Sequence, residues 1–394
     1  MERKSIFLEY VRKNVHLHIY QGGCCAFSAV RFDTFPVAGA MCGICRRSQP
    51  GRDAGDMNNS VTIQDIANAL GLSRNTVSKA LNGRDVPAKT RNAVVTAAIE
   101  MGYRGYGLAA DALTTPGPKR FVILSSRLLM NINYYIYVLR GIEESLDDHS
   151  IDLVQFCVTS PDSFSKFRRY LSRTRVDGII CIELFDAGYI SELLKFDYPV
   201  IFLDFPVVDR EVNGSYDIVL PESQDAVKRF CMKLIREQQA RTFGFVGEYL
   251  HCRSFYERFT GMREALVLSG LPVDLRYSVL DAGVVPYDSE ALQKAVGRLP
   301  ALPDCFVAAN DTIAIALLDA LKALHIDVPR EVKVIGFDNI AESKRTELPL
   351  STINVNKTSL GKRITALLLD RIAGPMRANQ VIYIASTVIA RSTT

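Results

Sequence analysis

The chain contains no apolar run approaching the roughly 18 residues that a membrane span requires, which argues against a transmembrane helix. Its opening, MERKSIFLEYVRKNVHLHIY, is too interrupted by charge for a secretory signal, so a cytoplasmic protein is expected. Histidine is scarce: 394 residues hold five, His16, His18, His149, His251 and His325. No HExxH, GxSxG or phosphate-loop pattern accompanies them, and the expectation is a protein that is not an enzyme and has no cofactor. His251 falls in an expected loop and reads as a solvated histidine. Strong charge of one sign is missing too. With a formal net charge of +4, an interaction with nucleic acid has to be sought locally. No heptad tail follows the terminal VIARSTT, so no tetramerising coiled coil is expected.

What the chain does have is ordinary globular composition, 48% hydrophobic and 23% charged, in a length suited to two or three domains. One stretch stands out, VTIQDIANALGLSRNTVSKALNG at 61–83. Ile63, Ile66, Ala67 and Leu70 recur at helical spacing, Gly71 interrupts, and Val77, Ala80 and Leu81 resume. Thr62 with Asp65 is a short-acid relative of the capping box, and Ser73 is the N-cap of the second helix. Two short amphipathic helices joined by a glycine turn form the helix-turn-helix pattern, whose second helix lies in the DNA major groove. A third amphipathic run after Pro87 closes a small helical core. From 57 to 115 six Lys/Arg face four Asp/Glu, a mildly basic balance that leaves part of the phosphate contact to amides, hydroxyls and a dimer partner.

The nine cysteines divide unevenly. Cys157, Cys181, Cys231, Cys252 and Cys305 sit in apolar stretches and read as small buried hydrophobes. Cys24, Cys25, Cys42 and Cys45 cluster in residues 1–56, which lack sustained periodicity. Three accounts of that segment stand: an upstream start included in the reading frame, a disordered extension, or a zinc module, the last disfavoured by the spacing of its cysteines. No metal site is assigned. The expected organisation is this doubtful extension at 1–56, the head at 57–104, a glycine- and proline-punctuated hinge at 105–119, and a large domain at 120–394.

From Phe121 the composition becomes alternating apolar runs and amphipathic helices. Strands are expected at 121–126, 151–157, 177–182, 199–204, 241–247, 304–309 and 332–337, with helices at 134–147, 163–174, 223–237, 256–268, 288–296, 312–324 and 357–372. Continuous apolar strands alternating with helices imply parallel sheets covered on both faces, here in two lobes, with a ligand beyond the carboxyl ends of the strands. Asp204, Asn310, Asp311 and Asp338 follow such runs. Asp311, just before a helix, reads as a cap, whereas Asn310 and Asp338 read as polar fingers for a small hydroxylated or charged ligand.

VTIQDIANALGLSRNTVSKALNGRDVP, EMGYRG, PVIFLDFP, ERFTGMREAL, VAANDTIAIALLDAL, VPREVKVIGFDNI, LPLSTINVN and VIARSTT resemble, in order and spacing, the LacI family of bacterial transcription regulators over 61–394. The resemblance implies an α/β effector core of two parallel-sheet lobes, of the type I periplasmic-binding-protein-like kind, behind an N-terminal all-α helix-turn-helix domain. It implies a homodimeric repressor of double-stranded operator DNA whose affinity is controlled by a small-molecule effector such as a sugar. The alternative is a cytoplasmic solute-binding sensor without specific DNA function.

By this resemblance Arg74, Asn75 and Lys79 face base edges, while Thr62, Ser73, Thr76, Ser78, Asn82 and Tyr103 position the head on the DNA backbone. A hinge helix pushes a leucine into the minor groove. Here that position falls on Ala112, with Leu113 one place later, so either the register slips to Leu113 or the hinge is weaker. In the effector core Tyr134, Tyr135, Asp204, Asn310 and Asp338 fall on cleft positions. The family's clamping arginine is expected five residues before the glycine of ERFTGM, where this chain has Tyr256. Arg253 compensates, or the pocket takes a stacked, more apolar ligand.

Overall fold

The computed structural model describes residues 17–20, 62–81, 86–101, 119–126, 133–146, 151–208, 212–280, 287–374 and 377–394. They belong to two compact units. One holds the helical head; the other holds 17–20 and the chain from Lys119 on, apart from Tyr170–Arg175. No helix among the described residues is long and apolar enough to cross a membrane.

The head has three helices, α1 (Ile63–Leu70), α2 (Arg74–Leu81) and α3 (Ala88–Glu100). The expected capping box is present: Asp65 N donates to Thr62 Oγ1 and Thr62 N donates to Asp65 Oδ2, at 3.4 and 2.7 Å. Gly71 ends α1 at φ 64°, and a Cβ built there meets nothing, so the left-handed angle rather than space requires glycine. Ser73 Oγ then accepts from Thr76 N at 3.0 Å and starts α2. Ile66, Ala67, Val77, Ala80, Val94 and Ala98 make the core.

The second unit begins with β1 (Leu17–Tyr20), a parallel neighbour of β3, within a segment whose irregular sequence does not announce a strand. From Lys119 strands and helices alternate: β2 (Lys119–Ser125), α4 (Asn133–Glu144), β3 (Ile151–Cys157), α5 (Pro161–Leu171), β4 (Gly178–Ile182), α6 (Ala187–Leu193), β5 (Val200–Leu203) and β6 (Tyr216–Pro221). There follow α7 (Gln224–Gln238), β7 (Phe243–Val246), α8 (Arg253–Leu268), α9 (Ser289–Val296), β8 (Cys305–Ala308), α10 (Asp311–Ala323), β9 (Lys333–Asp338), β10 (Ser351–Asn354), α11 (Lys357–Ala373), β11 (Val381–Ile384) and β12 (Thr387–Ile389).

Seven strands, ordered β1, β3, β2, β4, β5, β6, β11 and all parallel, form one sheet. The other runs β12, β10, β9, β8, β7, parallel except where β12 meets β10. The fully buried β4, β5, β7 and β8 explain the unbroken apolar runs of the sequence. Each sheet organises one lobe. The backbone passes between them three times, from β6 to α7, from β10 to α11 and from β11 to β12.

Two contacts hold the ends of the seven-stranded lobe. Helices α4 and α11 cross in backbone contact, since a Cβ at Gly141 would lie 2.1 Å from Thr358 O and one at Gly361 2.1 Å from Val138 O. Asp217 on β6, fully buried, accepts from Arg371 Nε and Nη2 at 2.9 and 2.6 Å, from Arg377 Nη1 at 3.0 Å and from Gln380 N at 2.7 Å. Burial alone would raise its carboxyl, but these donors hold it below the ordinary range. This clamp ties α11 and the approach to β11 onto β6.

The apolar pattern of the sequence misses several elements. β6 carries Asp217 and Pro221, β10 reads STIN, β11 and β12 are short and partly exposed, and α6 spans only seven residues. The five cysteines of the body are free and buried, as expected. Cys24, Cys25, Cys42 and Cys45 lie outside the described residues.

Replacing Asp217 by alanine strands the Arg371 guanidinium, which is 1% exposed, without its carboxylate. A loss of about 3–5 kcal/mol in core unfolding is expected in denaturant titration. A loss below about 1 kcal/mol would show that the clamp contributes little.

Candidate functional site

In the head, α2 turns Val77 and Ala80 into the core and leaves Arg74, Asn75 and Lys79 exposed. A guanidinium or ammonium that meets guanine O6 and N7, and an amide that meets adenine N6 and N7, need this kind of exposed placement. Thr62, Ser73 and Thr76 lie at the amino ends of α1 and α2 in the capping bonds described above; Ser73 Oγ and Thr76 Oγ1 are 2.7 Å apart. Ser78 is half-buried on α2. Asn82, Tyr103, Ala112 and Leu113 lie outside the described residues.

In the second unit a cleft of about 580 Å³ opens between the two lobes, beyond the carboxyl ends of their strands. Tyr134, Tyr135, Glu183, Asp204, Asn310 and Asp338 line it, with Phe185, Phe255, Arg258 and His251. Three of its carboxylates share a backbone feature. Glu183, Asp204 and Asp338 stand at the ends of β4, β5 and β9 with φ of 54°, 65° and 110°. Left-handed angles are uncommon outside glycine, and their concentration at one cleft is the sort of local strain found at ligand sites.

Each carboxylate is held differently. Glu183 Oε1 accepts from Tyr135 Oη at 2.6 Å, and the Tyr135 ring meets Tyr134 edge-on at 4.9 Å. Asp204 reaches across the lobes: Ser254 Oγ donates to Oδ2 at 2.5 Å, and Ser254 N and Phe205 N donate to Oδ1 at 3.2 and 2.7 Å. Since Cys252, the N-cap of α8, makes no side-chain capping bond, Asp204 caps that helix from the other lobe. Asp338 lies 3.7 Å from Arg258 Nη2. Burial raises its carboxyl, Arg258 and Lys357 oppose the rise, and Glu183 and Asp204 add to it.

Arg258 is only 4% exposed, donates to Ala309 O at 2.5 Å and lies 3.7 Å over the Phe337 ring. Its buried Nε has no hydrogen-bond partner among the described residues, leaving a donor in the cleft wall. Lys357 contacts the Asp338 carbonyl and lies 5.5 Å from the Tyr134 ring. Burial lowers its ammonium pKa despite Asp338 and Asp311.

Two expectations are corrected. Tyr256 is 41% exposed and absent from the cleft wall, where Arg258 stands instead. Two residues along a helix turn a side chain by about 200°, so α8 buries Ser254, Phe255, Arg258 and Met262 and turns Tyr256 outward beside Tyr249. Arg253 does not compensate in the cleft; it bonds Glu257 and Tyr383. The signal for Arg258 was present in ERFTGM: an arginine in step with apolar residues and three positions before the inward-packed Gly261.

The capping role expected of Asp311 also falls to Asn310. Asn310 Oδ1 caps α10 through Ile313 N at 2.9 Å, leaving its amide group on the cleft wall. Asp311 is buried, accepts from Ile340 N at 2.9 Å and is bonded by Thr352, and so fixes the loop after Asp338. His251 is exposed at the cleft and meets Phe185 edge-on at 5.1 Å. Among the described residues no group of three or more His, Cys, Asp or Glu is placed to hold a metal ion.

The comparisons with known proteins agree with both units. Residues 62–105 match the model for bacterial regulatory proteins of the lacI family, and 233–394 match the periplasmic binding protein-like domain. The HTH-type transcriptional regulator CelR of Thermobifida fusca is 26% identical over 319 residues, 79% of this chain and 92% of that protein. The HTH-type transcriptional repressor PurR of Mannheimia succiniciproducens is 27% identical over 341 residues, 84% of this chain and 97% of that protein. The fold matches a CelR–cellobiose complex at a TM-score of 0.63, with 23% identity over 85% of this chain and all of that one. It also matches a lac repressor dimer bound to operator and an anti-inducer at 0.58, with 21% identity, 85% of this chain and 99% of that one.

A helix-turn-helix head on a two-lobed ligand-binding core defines a DNA-binding transcription regulator. The chain carries the DNA-binding head of the lacI family of bacterial regulatory proteins on a periplasmic binding protein-like core.

The Asp311 carboxyl is pushed up to about 7, first by burial and then by Asp338, from an ordinary 3.8. Between those values the folded chain holds a proton that the unfolded chain has released. The contribution of Asp311 to stability therefore falls as pH rises from 3.8 to about 7 and levels off above. Unfolding of wild type and Asp311→Asn across this range should show a stability difference that changes with pH up to neutrality. A difference independent of pH would contradict this assignment.

Proposed function

We propose that this regulator is a homodimeric repressor that reads double-stranded operator DNA through Arg74, Asn75 and Lys79. An uncharged polyhydroxylated molecule, a sugar or a related metabolite, bound between the lobes controls its affinity. The head at 57–104, a hinge at 105–119 and the effector domain at 120–394 are its working parts, and it acts in the cytoplasm, where the nucleoid is. Thr62, Ser73, Thr76, Ser78, Asn82 and Tyr103 position the head on phosphates, partly by capping helix ends whose amides face them. Ala112 or Leu113 supplies the minor-groove contact of the hinge.

The observation that carries the effector reading is the set of carboxylates Glu183, Asp204 and Asp338, each at a left-handed strand end, in a cleft also lined by Tyr134, Tyr135, Phe185 and Phe255. Carboxylates accept from adjacent hydroxyls, Arg258 donates to a ring or hydroxyl oxygen, and aromatic faces cover the apolar face of a sugar. An additional phosphate or carboxylate would have to approach these carboxylates. That repulsion disfavours phosphorylated and acidic ligands. The CelR–cellobiose complex supports a saccharide, and the operator-bound lac repressor dimer supports a paired head reading two half-sites.

Thermal unfolding of the full chain with a panel of neutral mono- and disaccharides and their phosphate esters tests the ligand class. A neutral sugar should stabilise the wild type, and Arg258→Ala should abolish that shift. Stabilisation by phosphate esters alone would overturn the proposal.

Selection from a randomised duplex library would yield the operator. Against it, Arg74→Ala is expected to cost about 1–3 kcal/mol and to relax preference at one base pair. A loss equal for all sequences would place Arg74 on phosphate instead.

A further inference from the structure

Outside the cleft wall, Arg253, Glu257 and Tyr383 form a cluster that joins the two lobes. Tyr383 lies on β11, which pairs with β6 in the seven-stranded sheet. Arg253 and Glu257 lie on α8, which packs on the other lobe: Phe259 meets Phe245 of β7 at 5.4 Å, and Gly261 faces Gln224 of α7. Tyr383 Oη donates to Glu257 Oε1 at 2.6 Å and accepts from Arg253 Nη2 at 2.8 Å, while Arg253 Nε donates to the same Oε1 at 3.0 Å. Glu257 is 8% exposed, and its Oε2 has no hydrogen-bond partner among the described residues. Burial raises its carboxyl. The Tyr383 hydroxyl is pushed up to about 12, first by burial and then by Glu257, so it keeps the proton it donates.

The same end of α8 carries further bonds across the lobes. Arg253 N donates to Phe205 O at 2.7 Å and Ser254 N to Asp204 Oδ1. Separation of the lobes breaks these two amide bonds and takes Tyr383 away from Glu257. The Arg253–Glu257 pair, four residues apart on one helix, survives that separation. Tyr383 is therefore the detachable member.

We infer that Arg253, Glu257 and Tyr383 form a latch between the lobes that opposes their separation and so weights the opening equilibrium on which a cleft ligand acts. This holds whichever molecule the cleft takes, so its test does not depend on the ligand reading.

Residue-resolved hydrogen exchange of the full-length protein, without added sugar, tests it. Tyr383→Phe and Glu257→Gln should each speed exchange of the Arg253 and Ser254 amides by about fivefold to tenfold. The interior strand amides of Val122 and Phe306 should keep their wild-type rates, and the double variant should go no further than the stronger single one. Unchanged rates at Arg253 and Ser254, a uniform acceleration over both lobes, or additive effects in the double variant would each overturn the latch.

Discussion

A carboxylate removed from water must be met by donors or cations, and much of the effector core is arranged around carboxylates in that position. Asp217 draws two arginines and a backbone amide onto β6 and fastens α11 and β11 there. Asp204 takes its donors from Ser254 and Phe205 and becomes the helix cap of the opposite lobe. Asp338 faces Arg258, and behind it Asp311 keeps its proton to near neutrality while it holds the loop at Ile340. The same requirement thus builds a structural clamp, a joint between lobes and a ligand wall.

Those positions give the core two kinds of connection between its lobes. The covalent crossings, from β6 to α7, β10 to α11 and β11 to β12, allow the lobes to move as bodies. Side-chain bonds from Asp204 and Tyr383 to the start of α8 resist that movement. A ligand shifts such an equilibrium only by binding one arrangement better than the other. Asp204 serves both purposes, since it lines the cleft and caps α8, so a hydroxyl that bonds it also acts on the joint.

Much of this was legible from residue order. Seven apolar runs marked seven strands because a strand buried on both faces has no polar alternation to obscure it. The head was legible because capping residues and Gly71 punctuate it at fixed offsets. β6 and β10 were not, because Asp217, Ser351 and Thr352 are polar residues buried with partners distant in sequence. In the cleft, Tyr134, Tyr135, Asp204, Asn310 and Asp338 were found from strand ends and family resemblance. Spacing along the sequence does not single out Arg258, because Tyr256, five positions before Gly261, and Arg258 point to different sides of α8. Glu183 followed an apolar run just as Asp204 did, yet only its left-handed angle and its bond to Tyr135 distinguish it.

In the proposed function, occupancy of the cleft and occupancy of DNA are coupled, and coupling is reciprocal. The most direct measurement is the affinity of the full-length protein for its selected operator, by fluorescence anisotropy, with and without a saturating neutral sugar that stabilises the core. A change of about 5- to 150-fold is predicted, removed by Asp338→Asn. An operator affinity that stays the same while the sugar demonstrably fills the cleft would contradict it.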